Sequence, residues 1–410
     1  MTHIEEAVRI VSDPDLQGLA KRGTLFEYLS GQSDRGLAAS VECLLETDDY
    51  RIAEYVGQYL EVTPNASAEK ERAAVRLRQE PKLARGAARL VPWLSTATLN
   101  GFIADYVNDA ELKAHLSSVI FSIGAFRPEL LRPFADLDHP MAAKAMLAGA
   151  PDEVADSLAR KWRSDEDDED DPWDTLVSLA LIRTDHALEI IGSLRDELDD
   201  PADWITLVEL AGGLPDSEQK AGYWPAQLAF LAEGGKSEHK VGGSTSGDVP
   251  ICHICSVPAV HLLTLSASAL PFSLSNNPSF YWYACDCGEM DSATVRIADG
   301  ERTVYYGPKG PADPAISLTP GQLSLTLEKH PNQVGVSLKA APSQSLNQVG
   351  GLPRWVDPDI HPRCPECGLA MPFVASVGGR DTPVGRIAVE GIVYCFWCDG
   401  CCVSSTKFQE

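Results

Sequence analysis

Apolar residues recur at three- and four-residue intervals along the first part of the chain. This spacing places them on one face of a helix. The clearest segments are LAASVECLL, YRIAEYVGQYL, TLNGFIADYV, ELKAHLSSVIFSI, DTLVSLALI and ADWITLVELA. Groups such as TPN, DHP, GAPDE and DDPADW stand between such segments and carry helix start signals. The pattern predicts an all-α helical array over residues 1–235. It resembles a HEAT-like α-solenoid by analogy only, because no repeat period is evident.

The pattern changes at EGGKSEHKVGGSTSGD, which is polar, rich in Gly and Ser, and without periodicity. It predicts a linker over residues 236–249. Later segments are rich in aromatic and β-branched residues and are separated by Gly, Pro, Asn and Asp: SFYWYAC, SATVRIA, RTVYYGP, QLSLTLE and GIVYCFWC. We therefore expect a β-rich domain over residues 250–410 and an α+β multidomain protein.

Charge narrows the range of partners. The chain has 59 Asp and Glu against 34 Lys and Arg, a formal net charge of −25. The first 240 residues contain 44 acidic and 24 basic residues, a net charge of −20. Such a field attracts basic proteins and repels a phosphate backbone. We expect a basic protein partner and no nucleic acid.

Two runs of charge stand out within the helical part. The acidic run SDEDDEDDP at 164–172 is predicted to be a solvated loop, with a contact for a basic partner as the alternative. A basic strip is predicted to be a surface that balances its acidic neighbours, with a grip on an acidic group as the alternative. The strip consists of Lys70, Arg72, Arg76, Lys82, Arg85 and Arg89.

The cellular compartment decides whether the cysteines are expected to form disulfides or to stay reduced. No stretch approaches the roughly 18 uncharged apolar residues that would cross a bilayer. The start, MTHIEEAVRI, lacks the basic-then-apolar pattern of a secretory signal. We expect a cytoplasmic protein without membrane contact, where thiols stay reduced and C-x-x-C pairs indicate metal or redox sites before disulfides.

Ten of the 11 cysteines follow residue 250, and eight of them form two sets. The sets are Cys252-x-x-Cys255 with Cys285-x-Cys287, and Cys364-x-x-Cys367 with Cys398-x-x-Cys401. Two tight turns that each supply two thiolates complete a tetrahedral four-thiolate site. The spacing predicts two structural zinc ions with four cysteines each. Of the remaining cysteines in this part, Cys395 is expected to pack in the sheet, and Cys402 to be a spare thiol or a ligand if the ion shifts register.

A redox site and a catalytic zinc site are the two alternatives to a structural metal site. A redox C-x-x-C motif opens a helix in an α/β context, whereas strands precede these motifs. A catalytic zinc ion keeps a position open for water, whereas four cysteines close the site. His253 and His361 lie near the turns and could substitute as ligands, but a His beside a ligand more often lies outside the coordination shell.

The two sets indicate an internal duplication. Their half-sites are separated by 29 residues (256–284) and 30 residues (368–397). FYWYACD-C at 280–287 aligns with VYCFWCDGC at 393–401 after one gap, and an aromatic strand ends in Cys-Asp in both. We expect two related β units, over about residues 250–330 and 345–405.

Residues 347–402 resemble a known family. The pattern is Gly350-Gly351-x-Pro353-x-Trp355, then CPECG with Cys364 and Cys367, then a Met-x-Phe strand, then YCFWCDGC. It resembles the YwqG-like bacterial domain and its eukaryotic relative, the programmed cell death protein 2 family, together called TYPP-type domains. The resemblance implies a β-rich, zinc-bound, duplicated domain without established enzymatic chemistry.

The resemblance also bears on function. Eukaryotic members resemble chaperones of a basic ribosomal protein, and bacterial members have been linked to toxin–immunity loci. The expectation is a non-catalytic protein-binding protein, with toxin immunity favoured and a dedicated chaperone of a basic client as the alternative. Gly350, Gly351, Pro353 and Trp355 are candidates for partner binding, with a core role for Trp355 as the other possibility.

Catalytic motifs are absent from the sequence. It contains no G-x-S-x-G, P-loop or H-E-x-x-H motif. We therefore predict that the protein is not an enzyme. An enzyme with a site in the β domain stays open as an alternative, because catalytic residues converge in space rather than in sequence.

Overall fold

The structure is a computed structural model of the chain. It describes residues 2–134, 137–164, 171–215, 223–285, 287, 292–298, 301–319, 321–336, 347–356 and 359–410. The acidic run expected to be a loop at 164–172 falls mostly on residues 165–170, which lie outside the described residues. One helix ends at Arg163, just before this run, and the next begins at Pro172, the last residue of the run.

Helices fill the first half of the chain. Within the described residues there are thirteen α-helices: α1 (His3–Ser12), α2 (Gly18–Ser30), α3 (Leu37–Glu46), α4 (Tyr50–Glu61), α5 (Ser67–Arg78), α6 (Ala84–Ala88), α7 (Thr96–Asn108), α8 (Lys113–Phe126), α9 (Pro140–Ala145), α10 (Asp152–Arg163), α11 (Pro172–Ile182), α12 (Asp185–Ser193) and α13 (Pro201–Leu210). Short 3₁₀ turns occur at Ser33–Gly36, Pro81–Leu83, Val91–Trp93, Pro128–Leu130 and Ala267–Ala269.

Local chemistry explains where several helices begin. The side chains of Asp49, Ser95, Asp171 and Asp200 each accept a hydrogen bond from a backbone N–H in the first turn of the helix that follows. These bonds satisfy donors that the helix itself leaves unpaired. After Asp171 and Asp200, the first helical residue is a proline, which needs no hydrogen bond there. The Asp-then-Pro start signals in the sequence are therefore confirmed.

The helices bury two apolar cores. Residues of α1 to α9 form the larger core, which includes the fully buried rings of Tyr59, Phe102 and Phe126. Residues of α10 to α13 form the second, around Leu179 and Ile191. The apolar faces predicted from the three- and four-residue spacing are thus buried against neighbouring helices.

Strands fill the rest of the chain. They are β1 (Gln227–Glu233), β2 (His239–Val241), β3 (Asp248–Pro250), β4 (Val260–Thr264), β5 (Ser279–Trp282), β6 (Thr294–Ala298), β7 (Glu301–Tyr305), β8 (Lys309–Pro311), β9 (Leu323–Lys329), β10 (Asn347–Val349), β11 (Phe373–Gly378), β12 (Ile392–Cys398) and β13 (Val403–Gln409). The short pair β3–β8 stands apart, and the other eleven form one antiparallel sheet in the order β5-β4-β2-β9-β1-β10-β11-β12-β13-β6-β7.

The sheet curls, so that its β5 edge meets β13. The rings of Trp282 and Phe408 are 4.8 Å apart between centroids. The hydroxyl of Thr406 donates to the carbonyl of Tyr281 at 3.0 Å. Because the curl wraps the sheet around its apolar face, that face is buried without a second layer. The fold is therefore a two-part α+β architecture, as the sequence predicts.

The boundary between the two parts differs from the expected one. We expected helices to residue 235 and a linker over 236–249, but β1 already lies in the centre of the sheet, and β2 lies within the expected linker. QLAFLAE is a short apolar segment without two-residue alternation, and β1 is buried along five consecutive residues. HKV has only three residues, too few to show a strand pattern. A central strand covered on both faces loses the alternation by which a strand is recognised.

The two parts are in direct contact. The amide of Asn332, after β9, donates to the carbonyl of Ala125 in α8 at 3.1 Å. The indole of Trp93 donates to the Glu328 carboxylate in β9 at 2.9 Å. The helices therefore pack on the central strands of the sheet. Among the described residues, no helix combines the length and the apolar character needed to span a bilayer.

Candidate metal centres

A tight turn presents Cys364 and Cys367. The backbone N–H of Cys364 donates to the carbonyl of Leu369 at 2.8 Å, and that of Gly368 donates to the carbonyl of Cys364 at 2.8 Å. Gly368 has a φ of 74°, which glycine adopts without the strain that a Cβ would bring. The turn therefore closes on itself, which leaves both sulfur atoms on the same side.

The turn at Cys252 and Cys255 has the same hydrogen bonds. The N–H of Cys252 donates to the carbonyl of Val257, and that of Ser256 donates to the carbonyl of Cys252, both at 2.9 Å. Ser256, in the place of the glycine, has a φ of 63°. The two turns are thus the same structure built from different residues.

The resemblance between the two units extends to the strands that follow. The β4–β5 ladder shifts register at Leu262, and the β11–β12 ladder shifts at Val374. Each position comes ten residues after the first cysteine of its turn. The carbonyls of these two residues accept hydrogen bonds from Gly242 and Gly350, at 3.0 and 2.7 Å. Turn and bulged strand thus keep the same relation in both units.

The structure brings the predicted cysteines together in two groups. One group is Cys252, Cys255, Cys285 and Cys287, and the other is Cys364, Cys367, Cys398 and Cys401. In each group the four sulfur atoms lie within 4.8 Å of one another. These two groups of cysteines can hold metal ions.

The distances suit a four-thiolate ion. Zinc–sulfur bonds of about 2.3 Å in tetrahedral geometry separate the sulfur atoms by about 3.8 Å. The Cys367 and Cys398 sulfur atoms are 3.8 Å apart. All eight cysteines are free of disulfide bonds. The donor set therefore fits an ion such as zinc without rearrangement of the backbone.

The thiols of each group do not ionise alike without a cation. A hydrogen bond from the backbone N–H of Cys255 lowers the pKa of Cys252 to about 6. Burial, followed by the neighbouring thiols, raises the pKa of Cys285 to about 12. Burial likewise raises the pKa of Cys401 to about 11 and that of Cys398 further. A bound cation would favour the thiolate form of all four, so metal binding would release protons.

The other candidate ligands lie elsewhere. His361 is buried, and its Nδ1 is 3.0 Å from the carbonyl oxygen of Met371. His253 is exposed, and neither histidine belongs to the two groups. Cys395 is fully buried in the sheet core. Cys402 is half-buried, and its sulfur accepts a hydrogen bond from the Asn276 amide at 3.1 Å.

The Gly-Gly-x-Pro-x-Trp segment lies mostly inside the protein. Gly350, Gly351 and Pro353 are buried. Trp355 is half-buried, and its ring centroid lies 4.5 Å from that of Tyr394 and 5.8 Å from that of Phe396. The partner-binding role of this segment stays a prediction. Without a rearrangement of the chain, only the exposed part of the Trp355 ring could contact a partner.

Two buried contacts of charged residues were not predicted from the sequence. Glu209 in α13 contacts the backbone of His361, just before the second turn. Arg354, between Pro353 and Trp355, is buried close to Glu61 of α4. In the sequence, Arg354 stands out as a charged residue within the apolar segment GGLPRW, whereas no local pattern marks Glu209.

The comparisons with known proteins name no function. The chain is 24% identical over 276 residues to the uncharacterized protein YpfL of Salmonella typhimurium (strain LT2). The match spans 64% of this chain and 63% of that relative, which is less than two thirds of its length. No protein-family model matches the chain. No solved structure matches it.

Proposed function

We propose that the protein is a non-catalytic, cytoplasmic protein-binding protein whose β part is held by two structural zinc ions. The observation that supports the zinc ions is the convergence of eight cysteines into two closed groups of four. A closed four-cysteine site leaves no position for a reacting water and serves to hold strands and turns together. Zinc is chosen over other metals because four thiolates in tetrahedral geometry suit it, although iron uses the same ligands.

The two β units are proposed to descend from a duplication. In support, the turns at Cys252 and Cys364 share their hydrogen bonds, and the strands that follow shift register at the same distance from them. The strands β5-β4-β2-β9 also mirror β12-β11-β10-β1 in the order of the sheet. The resemblance of residues 347–402 to TYPP-type domains would then extend in weakened form to the first unit.

The helical part is proposed to be an irregular array that presents an acidic surface to a basic protein. Among the described residues of α10 to α13 and their connections (152–210), eleven acidic side chains are exposed against four basic ones. They are Asp152, Glu153, Asp156, Asp171, Asp174, Asp185, Glu189, Asp196, Glu197, Asp199 and Asp200, against Arg160, Lys161, Arg163 and Arg195. We refer to these eleven residues as the acidic surface. A surface of one dominant sign steers an oppositely charged partner towards it.

The identity of the basic partner is proposed from the resemblance of residues 347–402 to TYPP-type domains. A toxin is the favoured basic partner, on the resemblance to bacterial family members, and a ribosomal-type client is the second.

A comparison of three tagged proteins tests the proposal. The wild type, the variant Glu153→Gln, Asp196→Asn, Asp199→Asn, and a control with Glu27→Gln, Glu46→Gln, Asp48→Asn would be used for affinity capture from native cells at moderate salt. We expect one stoichiometric basic protein with the wild type and the control, and at least a several-fold loss with the acidic-surface variant. Identification of a toxin would support immunity, and that of a ribosomal protein would support chaperoning. Equal capture by all three proteins, or capture of no basic protein, would contradict the proposal.

A further inference from the structure

A buried arginine lies where both helical cores meet the sheet. Arg183 directly follows α11 and is 5% exposed. It lines a recess together with Ala125 at the end of α8, Lys144 in α9, and Asn332 and Val336 after β9. The recess holds about 240 Å³, part of it open solvent. We refer to the space between these five residues as the Arg183 recess.

Only one nitrogen atom of the Arg183 guanidinium group has a hydrogen-bond partner among the described residues. The Nε atom donates to the carbonyl oxygen of Leu210, at the end of α13, at 3.1 Å. The two Nη atoms carry four further N–H donors. In the described part of the chain they meet no acceptor at hydrogen-bond distance, and no carboxylate forms an ion pair with them.

Backbone carbonyls beside the recess are used by other donors. The carbonyl of Ala125 accepts a hydrogen bond from the Asn332 amide at 3.1 Å. The carbonyl of Ala148, which also lines the recess, accepts one from Arg132. These contacts leave the Nη atoms of Arg183 facing a recess whose nearby acceptors already have donors. An unmade hydrogen bond in a buried place costs free energy, so such donors need an acceptor from elsewhere.

The charge at the recess is that of Arg183. Burial lowers the pKa of Arg183 to about 10, and Tyr223 opposes that shift, so the group stays charged at neutral pH. Lys144 adds a second positive charge, but its Nζ atom lies 3.3 Å from Oδ1 of Asp174, which compensates it. The described residues at the recess therefore carry one positive charge without an opposite charge in contact. A buried charge of this kind is costly until an anion compensates it.

We propose that the Arg183 recess binds a carboxylate group, either of a small free acid or of a peptide chain end. One positive charge matches one carboxylate. The planar fork of a guanidinium group donates two parallel hydrogen bonds to the two oxygen atoms of such a group. Lys144, whose side chain is 47% exposed, offers a further donor from the solvent side.

The contact with Leu210 does not explain the whole side chain. A basic residue at the end of a helix stabilises it through one hydrogen bond to a last-turn carbonyl, and it normally keeps its remaining donors in water. Arg183 instead holds its remaining donors inside the protein. A bound carboxylate would link α11 and α9 to the segment after β9, and so would join both helical cores to the sheet.

Saturation-transfer NMR of the full-length zinc-loaded protein tests the proposal. The probes are acetate, N-acetylglycine, its neutral amide and inorganic phosphate, at constant ionic strength. We expect both acids to bind with millimolar dissociation constants and the amide not to bind. N-acetylglycine binding at least tenfold more tightly than acetate would indicate a peptide chain end as the source, and a smaller difference would indicate a free acid. No binding of either acid at tens of millimolar, equal binding of the amide, or tighter binding of phosphate would overturn the proposal.

Three variants locate the site. Arg183→Gln should weaken acetate binding about tenfold or more, the usual effect of losing a charge-assisted hydrogen bond. Lys144→Gln should weaken it several-fold, because it leaves Asp174 beside the recess without its cation. The control is Lys309→Gln, which removes a similarly exposed lysine 3.5 Å from Asp248 in the β part and should leave binding unchanged.

The comparison does not depend on the buried variant alone. Lys144 and Lys309 both belong to exposed ion pairs, which contribute little to stability, so both variants should fold. If Arg183→Gln proves unstable, the difference between these two variants decides. Equal acetate affinity in Lys144→Gln and Lys309→Gln, or unchanged affinity in a folded Arg183→Gln, would overturn the assignment to this recess.

Discussion

The carboxylate of Glu209 accepts the backbone N–H of His361, which lies 3.1 Å from each of its two oxygens. Glu209 lies in the last helix, and His361 lies three residues before the first cysteine of the second turn. Burial raises the pKa of Glu209 to about 7. The His361 N–H and then Lys407 oppose that shift, Asp359 adds to it, and Arg363 opposes it. A carboxyl group that gains its proton on folding therefore links the helical part to the metal-binding part.

We predict that Glu209→Gln removes a pH dependence of stability. The folded protein holds the Glu209 proton up to about pH 7, whereas the unfolded chain releases it near pH 4.5. Since folding takes up a proton in that window, Glu209 stabilises the fold at low pH, and this contribution is lost as the pH rises from 4.5 to 7. The wild type should therefore lose about 3 kcal/mol relative to Glu209→Gln across the window. Urea unfolding at pH 5, 6, 7 and 8 measures the difference.

A comparison between variants is needed because other groups titrate in the opposite sense. Burial lowers the pKa of His361 to about 4, so its contribution to stability increases with pH between about 4 and 6.5. The difference between wild type and Glu209→Gln cancels that contribution. Glu153→Gln, at an exposed position in α10, serves as the control and should follow the wild type within about 0.5 kcal/mol at every pH. Parallel curves for wild type and Glu209→Gln would show that Glu209 is ionised in the folded protein.

The second prediction concerns metal content. Cys398→Ser should reduce the zinc content from two ions to one per chain, because three thiolates and a hydroxyl group hold zinc much less tightly than four thiolates. Loss of the second site should unfold the strands around it, while α1 to α9 keep their own core. Cys402→Ser, a few residues along the chain, should keep both ions. Metal analysis by mass spectrometry and far-UV circular dichroism provide the two readouts. Two ions in Cys398→Ser would show that this cysteine is not a ligand.

Spacing in the sequence was enough to predict the eight cysteines because their chemistry is local. A C-x-x-C pair supplies two ligands from one turn, so the pairs can be recognised before their partners in space are known. The helical part was predictable for the same reason, since three- and four-residue spacing is a property of the segment itself. β1 was not predictable, because a central strand buried on both faces shows neither helical spacing nor the two-residue alternation of a half-exposed strand.

The arginines that lie where the helices meet the sheet show which features local reasoning cannot predict. Arg89 belongs to a basic strip that the sequence does display, but the strip does not form one surface. Lys70, another of its members, is fully buried over the ring of Trp93, with its amine 3.3 Å from the ring centroid. No regular spacing in the sequence relates Arg89 to Arg22, Arg354 and Arg380. Packing of α2 and α6 against the sheet brings these residues together. Long-range contacts of this kind leave no periodic signal in a single sequence.

The third prediction concerns thiol reactivity. In zinc-loaded native protein we expect about one thiol of the 11 to react with a thiol reagent at pH 7.5, namely that of Cys402. Cys43 and Cys395 are buried, and burial raises the pKa of both thiols. The remaining eight would be held by metal, which slows their reaction. After chelation, the exposed Cys255 and Cys367 should react as well. If both react at once before chelation, the native protein does not hold zinc at the two groups.

The last prediction concerns the segment before the second turn. Gly350 has a φ of 68°, and a Cβ added there would lie 2.5 Å from the carbonyl oxygen of Pro225. Gly350→Ala should therefore lower the free energy of unfolding by about 2 kcal/mol or more, from backbone strain and from displacement of the chain that leads into β1. The control is Gly192→Ala in α12, where a Cβ meets nothing within 4 Å and should raise stability by up to about 1 kcal/mol. Urea unfolding of both variants measures the two effects. If Gly350→Ala is as stable as the wild type, the close approach of Gly350 to Pro225 is not a feature of the folded protein.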